Sequence, residues 1–475
     1  MTPNESLILS LRIKHLLKTD LLHVFSEDIS FDLLENQLRE PIPEFRERVF
    51  TPVNTLLTMT LSAIQEDKSL QQGLNIFKRV FEDRCKEVLE AEAEQLHQEQ
   101  INDSQLPRQA GRPKKYKSRL LKSYQKPLSH NTAGYATARK KLDIRIVESL
   151  YKHSANFGSL DKESWYGMKT YIADGTYLQL QDTENIKSTY FVKGQELSYP
   201  QALLQVLIRQ GSGQISQFSV GSRQQSELSL VIPMINKLEK NSLLLADDLY
   251  NTYYHFCLVL RQQCHIIVPG KRDRNYTVVR SISDNDQIVE IYKTARPDYV
   301  SKQEWETIPK TIQLRRITYT YPTKDGASPA VLFTTILDEK VKTSDIITKY
   351  ILRWDIEISI REIKTIMDIN VLRSKSIEMM NKELLIALSA YNMLRKIIAK
   401  SADTVGFPPQ KDIFLECAPF GRSVLLDKKG RVFFKWSPGR HGYANGANQQ
   451  TSDTASKRKA TALPEKNKTG KISKI

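Results

Sequence analysis

Long hydrophobic runs are missing from this sequence of 475 residues. No apolar stretch approaches the roughly 20 residues that a helix needs to cross a bilayer. The N-terminus also lacks a charged segment followed by an apolar one, the pattern that is typical of an export signal. We therefore expect a cytoplasmic protein that does not act within a membrane.

Cysteine is scarce, because the chain contains only Cys85, Cys257, Cys264 and Cys417, and no two of them have Cys-x-x-Cys spacing. This pattern supports neither a disulfide framework nor a structural zinc site, and we expect reduced, mostly packed thiols. The sequence also lacks a G-x-x-x-x-G-K-[ST] loop, so no nucleotide cofactor is predicted.

Negative charge is in deficit, since 70 Lys and Arg residues against 54 Asp and Glu residues leave a formal net charge of +16. Such an excess favours a polyanionic partner and steers the encounter with it. Nucleic acid is the first candidate, and an anionic membrane surface is the second. With 40% hydrophobic residues the chain can still bury a substantial core.

The two ends of the chain differ from its middle in composition. Residues 1–100 have the apolar periodicity of helices and predict a helical N-terminal domain. Residues 101–128 are polar, basic and contain prolines, which is typical of a linker. Residues 421–475 are rich in Gly, Asn, Ser and Lys and predict a basic, largely disordered tail, with one possible hairpin near residues 425–436.

The linker carries Arg112 and Lys114 within the sequence Gly-Arg-Pro-Lys-Lys. An extended Arg-Pro arm of this kind can enter an A·T-rich minor groove. The alternative is a basic linker that contacts phosphates without sequence preference. Both interpretations make the two side chains DNA-binding residues.

From Tyr166 onward, short runs of Ile, Val, Leu and Tyr alternate with helical stretches, which is typical of an α/β sheet protein. Residues 269–344 favour further strands and form a β-rich segment. The flanking residues, 129–268 and 345–420, are then two parts of one α/β core. Five core strands are predicted, at residues 171–173, 177–180, 203–208, 243–246 and 266–268.

Five polar residues recur at helical spacing: Tyr350, Arg353, Glu357, Arg361 and Lys364. At about 100° per residue they lie close to one line along a helix, beside an apolar stripe that suits a core. A Glu among Arg and Lys is often only a solvated face with spaced ion pairs. The alternative is an acid placed among side chains that bind DNA.

Two aspartates follow predicted strands. Asp174 opens Asp-Gly-Thr after residues 171–173, and Asp247 follows the buried run 243–246. Each has a structural alternative, because Asp-Gly is an ordinary hairpin turn and Asp247 can cap a helix, with Asp248 competing for either role. Carboxylates are the hard oxygen ligands that Mg²⁺ prefers, and two such ions can drive phosphodiester cleavage.

The spacing Tyr-x2-Arg-x3-Glu-x6-Lys, with Asp174-Gly-Thr and Asp247-Asp-Leu-Tyr, resembles the motifs of DDE transposases of the insertion-sequence-four family. The resemblance implies an RNase H-like catalytic core interrupted by a β-rich insertion, with an α-helical N-terminal DNA-binding domain. It also implies that Asp174, Asp247 and Glu357 are the catalytic residues. They would bind two Mg²⁺ ions, for which Mn²⁺ can substitute.

The same resemblance makes Tyr350, Arg353 and Lys364 contacts to the DNA end, with Arg361 on the same helix face. It implies a bacterial, nucleoid-associated homodimer that binds terminal inverted repeats of double-stranded DNA and catalyses cleavage and strand transfer. A catalytically silent DNA-binding regulator and an RNase H-like nuclease without strand transfer are the alternatives. In some members of this family, a flipped base stacks on a Trp at the last insertion strand. This chain has no Trp at that place, so a DNA-hairpin intermediate is not implied.

Overall fold

The structure is a computed structural model that describes residues 49–65, 67–78, 131–162, 164–190, 199–270, 274–323, 326–361, 363–364, 367–405, 424–426 and 432–434. The chain divides into two units, and all described residues lie in the first, Met1–Trp436. Most of the predicted N-terminal domain, the linker with Arg112 and Lys114, and most of the tail lie outside the described residues.

Helices and strands alternate along the described part of the chain. The helices are α1 (Pro52–Ala63), α2 (Ala133–Lys141), α3 (Ile144–Ser154), α4 (Glu184–Tyr190), α5 (Glu227–Ile235), α6 (Tyr253–Arg261), α7 (Lys302–Glu306), α8 (Thr343–Ile351), α9 (Asp355–Arg361) and α10 (Ile377–Val405). The strands are β1 (Lys169–Gln179), β2 (Gln201–Arg209), β3 (Ile215–Ser222), β4 (Ser242–Leu245), β5 (His265–Pro269), β6 (Tyr276–Ser283), β7 (Asp286–Tyr292), β8 (Thr311–Thr323), β9 (Gly326–Thr334), β10 (Val424–Leu426) and β11 (Val432–Phe434).

One mixed sheet of nine strands organises the fold, in the order β3-β2-β1-β4-β5-β9-β8-β7-β6. The pairs β1–β4 and β4–β5 are parallel, and the other neighbours are antiparallel. The strands that follow Pro269 therefore extend the same sheet through the β5–β9 pair. Strands β10 and β11 form an antiparallel hairpin at the place where the sequence predicts one. The fold is mixed α/β.

Two of the strand predictions need correction. The runs 171–173 and 177–180 were predicted as separate strands, but residues 171–173 and 177–179 lie in one strand, β1, which pairs with β2 without interruption from Tyr171 to Gln179. Strand β3 was not predicted, because most of its side chains are only half-buried and its sequence is largely polar. It lies at the edge of the sheet, where one pairing partner suffices.

Apolar side chains cover both faces of the central strands. Ile172 belongs to a core cluster with the long helix α10, whereas Tyr171 and Ala173 belong to a second cluster with α5 and α6. This alternation follows from the period of two in a strand. Burial of one Leu or Ile side chain in these clusters contributes about 1.5–3 kcal/mol to the free energy of unfolding, so both layers stabilise the sheet.

Helix α10 is joined to the edge of the sheet by polar contacts. Asn392 accepts a hydrogen bond from the Ile215 backbone N–H at 2.8 Å and donates one to the Ile215 carbonyl at 3.0 Å. The Tyr391 hydroxyl donates to the Gly213 carbonyl at 3.1 Å. These groups lie in the interior, so the contacts fix how α10 sits on the sheet.

Two further findings concern the cysteines and the helices. Cys257 and Cys264 are free and buried, as expected for packed thiols. Across the described ranges, no helix is both long enough and apolar enough to cross a membrane.

Candidate functional site

Asp174 in β1 and Asp247 just beyond the end of β4 lie at matching positions along two neighbouring parallel strands. Ile172 pairs with Leu245 in the β1–β4 register, and each aspartate lies two residues further along its chain. Because adjacent strands are about 4.8 Å apart and side chains alternate between faces, this register directs both carboxyl groups to the face of Ile172 and Leu245. The two acids thus meet where the parallel pairing ends.

Asp174 does not end a strand, which corrects the sequence-based prediction. It pairs with Val206 of β2, and β1 continues through Gly175 to Gln179. The Gly175 N–H donates to the Asp174 carboxylate at 2.8 Å. The hairpin alternative for Asp-Gly is therefore wrong, because the chain stays extended through both residues.

Asp247 has the capping role that its position allows. It follows β4 and caps a 3₁₀ turn, Asp248–Tyr250, by accepting a hydrogen bond from the Leu249 N–H at 3.0 Å. Asp247 is half-buried beside β1, whereas Asp248 is exposed. The geometry therefore favours Asp247 as the inward-facing acid of the two.

Acid crowding is visible in the pKa of both aspartates. Burial raises the pKa of Asp174 above its usual range, and the charges of Asp247 and Glu357 raise it further. Burial also raises the pKa of Asp247, with Asp248 adding to the effect. The Arg353 guanidinium opposes the rise in pKa at both aspartates. Arg353 is thus the cation that faces this group of acids.

The predicted single helix from Tyr350 to Lys364 is interrupted. Helix α8 ends at Ile351, Leu352–Trp354 form a 3₁₀ turn, and α9 begins at Asp355. A 3₁₀ turn winds more tightly than an α-helix, so the two helical faces do not continue in register. Leu352, an apolar residue of this turn, is exposed.

Arg353 and Glu357 remain neighbours in spite of this interruption. The Arg353 Nη2 atom lies 4.0 Å from the Glu357 carboxylate, with the Arg353 side chain 12% exposed and the Glu357 side chain 54% exposed. Tyr350 is buried, and burial raises the pKa of its hydroxyl, although Arg353 opposes this rise. Of this pair, Glu357 is therefore the more exposed residue and Arg353 the more buried one.

The other predicted DNA contacts have different surroundings. Arg361, the last residue of α9, is exposed, and Lys364, just beyond it, is half-buried. Trp305, in the segment between β7 and β8, packs against Tyr253 and Tyr254 of α6, with ring centroids 6.5 Å and 6.3 Å away.

Glu227 joins the acids, although the sequence did not single it out. Burial raises the pKa of its carboxyl, and the charges of Asp174 and Asp247 raise it further. A Cβ atom at Gly175 would lie 2.5–2.8 Å from the atoms of this carboxyl group. In the sequence, Ser226-Glu227 looks like an ordinary helix start, and Ser226 does cap α5.

Beneath Gly175 lies a buried polar pair. Gln205 stands opposite Gly175 in the β1–β2 register and donates to the Tyr250 hydroxyl at 2.6 Å. Burial raises the pKa of Tyr250, and the charges of Glu227, Asp247 and Asp174 raise it further. The Gln205 Oε1 atom is buried without a hydrogen-bond partner in the structure.

The donor set suits a hard divalent cation. Asp174, Asp247 and Glu357 offer only carboxylate oxygens, the ligands that Mg²⁺ and Mn²⁺ prefer, and Gly175 leaves open the space into which Glu227 projects. Within the described ranges, however, no three His, Cys, Asp or Glu side chains stand in an arrangement that could hold a metal ion.

Comparison with known proteins relates part of the chain to transposases. Residues 165–393 match the family described as "Transposase DDE domain". Over 317 residues the chain is 24% identical to the "Transposase InsG for insertion sequence element IS4" of Escherichia coli (strain K12), covering 64% of this chain and 68% of that protein. A cryo-EM structure of the piggyBac transposase synaptic complex with hairpin DNA has 10% sequence identity and a TM-score of 0.36, and the match covers 87% of this chain and 80% of that one. A TM-score this low does not define a shared fold.

The family match and the similarity to InsG support a transposase of the DDE class, an enzyme that cuts DNA in transposition. Within that class they support the type encoded by the insertion sequence element IS4. The roles of the individual site residues remain predictions.

Proposed function

We propose that this protein binds the terminal inverted repeats of an insertion sequence, cleaves the DNA there and joins the freed end to target DNA. The observation that carries the proposal is the placement of Asp174 in β1 and of Asp247 just after the adjacent parallel strand β4, with Arg353 beside them and Glu357 next to Arg353. The sheet order, in which β1 is flanked by β2 and β4, supports an RNase H-like core. The N-terminal residues would form the helical DNA-binding domain.

Asp174, Asp247 and Glu357 would hold two Mg²⁺ ions, or Mn²⁺ in their place. Bound there, the ions would supply a deprotonated nucleophile and neutralise charge on the phosphate. The half-buried Arg353 and the buried Tyr350 would contact the DNA end, Arg353 through a phosphate oxygen. Exposed Arg361 and half-buried Lys364 would follow the DNA backbone beyond the scissile bond.

The partners follow from the reaction. Two DNA ends have to be brought together before joining, so we infer a homodimer, with one active site for each end. The net charge of +16 supports the attraction of both end DNA and target DNA. Arg112 and Lys114 would add contacts from the linker. The site of action would be the bacterial nucleoid in the cytoplasm.

The decisive experiment incubates the purified full chain with candidate end DNA and a target plasmid, in Mg²⁺ or in EDTA. The variant Glu357→Gln keeps the shape of the side chain but replaces a carboxylate by an amide, which coordinates metal poorly. We expect metal-dependent joined products that this variant loses, with end binding retained within a few-fold. The matched control Glu184→Gln, an exposed acid in α4, should behave like the unaltered chain.

Each alternative predicts another outcome of this assay. Sequence-specific binding without cleavage in Mg²⁺ or Mn²⁺ would favour the silent DNA-binding regulator. Cleavage without joined products, and without a requirement for paired ends, would favour the nuclease. Equal loss of binding and cleavage in Glu357→Gln would contradict the metal role of Glu357.

A further inference from the structure

We propose that Arg223 binds a backbone phosphate of the DNA end, and that Tyr177 and Gln201 hold its guanidinium group in place for this contact. The inference rests on the proposed function, because it adds a DNA contact to the same reaction. Arg223 would align the DNA strand at a distance from the acids, so it is a positioning residue and takes no part in the cleavage step.

Tyr177 and Arg223 lie at the end of the sheet where the acids lie. Tyr177 is in β1, three residues after Asp174, which corresponds to about 10 Å at 3.2–3.4 Å per residue. Arg223 directly follows β3. Strand β2 lies between the two, since Leu203 pairs with Tyr177 on one side and with Gly221 on the other. A DNA backbone that crosses this end of the sheet can therefore reach both the acids and Arg223.

Two contacts hold the Arg223 guanidinium in one orientation. Its central carbon lies 5.1 Å from the centroid of the Tyr177 ring. Its Nη1 atom donates a hydrogen bond to the side-chain oxygen of Gln201 at 2.8 Å. Gln201 is the first residue of β2, so the acceptor is attached to the sheet. A planar guanidinium that is already oriented loses little entropy when it binds a phosphate, whose geometry it matches.

The positive charge of Arg223 has no acidic partner in the part of the chain that the structure describes. None of the ion pairs found there includes it, and the side chain of Gln201 is neutral. Arg223 is half-buried, and the Tyr177 residue beneath it is 40% exposed, so a ligand can approach from solvent. A phosphate would supply the counter-charge through charge-assisted hydrogen bonds.

The turn that carries Arg223 is anchored on both sides. The Ser222 N–H donates to the side-chain oxygen of Gln225 at 3.0 Å, which closes the turn after β3. Ser226 then caps α5, whose first residue is Glu227, and the carboxyl group of Glu227 adjoins the acidic site. The position of Arg223 relative to the acids is therefore fixed by the fold.

The test replaces single phosphates of candidate end DNA by uncharged methylphosphonates, within about three nucleotides on either side of the cleaved bond. This window corresponds to about 10 Å at 3.4 Å per nucleotide. Fluorescence anisotropy in EDTA measures the affinity of the full chain for each DNA, so that no strand is cut. We expect one position at which the replacement weakens binding of the unaltered chain about tenfold. At that position Arg223→Ala should lose nothing further, because the two changes remove the same contact.

A salt titration of the same complexes tests the charge of Arg223 directly. Arg223→Ala should lower the slope of log affinity against log salt by about 1. Tyr177→Leu keeps the charge but removes the ring that holds the guanidinium, so it should weaken binding a few-fold and leave the slope unchanged. A side chain with only a structural role would not change the slope, so an unchanged slope in Arg223→Ala would contradict the proposal.

Arg316→Ala is the matched control. Arg316 stacks on Tyr276 at the same distance of 5.1 Å, but it lies in β8, four strands away from β1. This variant should keep the sensitive methylphosphonate position of the unaltered chain. Loss of that sensitivity in Arg316→Ala as well would overturn the assignment to Arg223. Circular dichroism of each variant verifies that the chain is folded.

The outcomes separate this inference from the proposed function. Preferential binding of end DNA by the unaltered chain, with no phosphate position at which Arg223→Ala removes the sensitivity, would overturn the role of Arg223 and leave the proposed function intact. Equal affinity of the unaltered chain for end DNA and for unrelated DNA would overturn both.

Discussion

Arg315 and Asp286 form a fully buried ion pair across β8 and β7, with side chains 1% and 0% exposed. Two guanidinium nitrogens, Nη2 and Nε, donate to the carboxylate at 2.6 Å and 2.9 Å. The Thr343 hydroxyl donates to the same carboxylate, and Arg315 also donates to the Val341 carbonyl at 2.8 Å. The pair therefore connects the outer half of the sheet to the start of α8, which leads to Arg353 and Glu357.

We expect Arg315→Ala to lower the free energy of unfolding by about 3–5 kcal/mol, because it leaves the Asp286 charge buried without a partner. Chemical denaturation followed by circular dichroism measures this loss. The control is Arg280→Ala, which breaks an exposed ion pair with Glu339 in the same part of the fold and should cost about 0–1 kcal/mol. Similar losses in the two variants would contradict this role of the buried pair.

Asp174→Asn should stabilise the metal-free protein at neutral pH by about 1 kcal/mol, as is common when a crowded functional charge is removed. Folding raises the pKa of Asp174, so the folded state favours the protonated carboxyl group. This stabilisation is complete below the unfolded pKa of about 3.9 and is lost as the pH rises through the folded pKa. The amide cannot ionise, so the advantage of the variant should vanish near pH 4. Melting temperatures in EDTA across this pH range measure it, and an advantage that persists in acid would show another cause.

Asp247→Asn should abolish Mg²⁺-dependent cleavage, while Asp248→Asn should change it by no more than a few-fold. The physical reason is that Asp247 is half-buried beside β1, whereas Asp248 is exposed on the 3₁₀ turn. Cleavage of labelled end DNA by the two purified variants decides between the neighbours. The reverse pattern would assign the metal to Asp248.

Arg353→Ala should weaken binding to end DNA and lower the slope of log affinity against log salt by about 1, the value for one lost phosphate contact. Fluorescence anisotropy at several salt concentrations measures this slope. Arg261→Ala is the control, because Arg261 lies on α6 and pairs with Glu304 in a partly exposed ion pair. An unchanged slope for Arg353→Ala would leave Arg353 with a structural role only.

Periodicity and composition predicted the α/β class and most of the central strands, because β2, β4 and β5 are buried runs of apolar residues. They failed where pairing overrides local preference. Asp174-Gly175 has the composition of a turn, yet the continuous pairing of β1 with β2 keeps the chain extended through both residues. Strand β3 has too few apolar residues to stand out, since it lies at the sheet edge.

The acidic site was predictable in part for similar reasons. The spacing around Glu357 identified Arg353 as its neighbour, which the structure bears out at 4.0 Å. The 3₁₀ turn at Leu352–Trp354 contains neither Pro nor Gly, so no local signal marked it. Glu227 could not be found from spacing, because only the register of β1 and the packing of α5 bring it to Gly175.

The continuous strand β1 and the interrupted helix have different mechanical consequences. Asp174 belongs to a strand that is hydrogen-bonded on both sides, so its position is set when the protein folds. Glu357 is carried by a short helix behind a 3₁₀ turn, and its side chain faces solvent. Binding of either DNA or metal immobilises that helix. The ligand that binds second then loses less conformational entropy. Affinities for the two should therefore rise together, by the same factor in either order of addition.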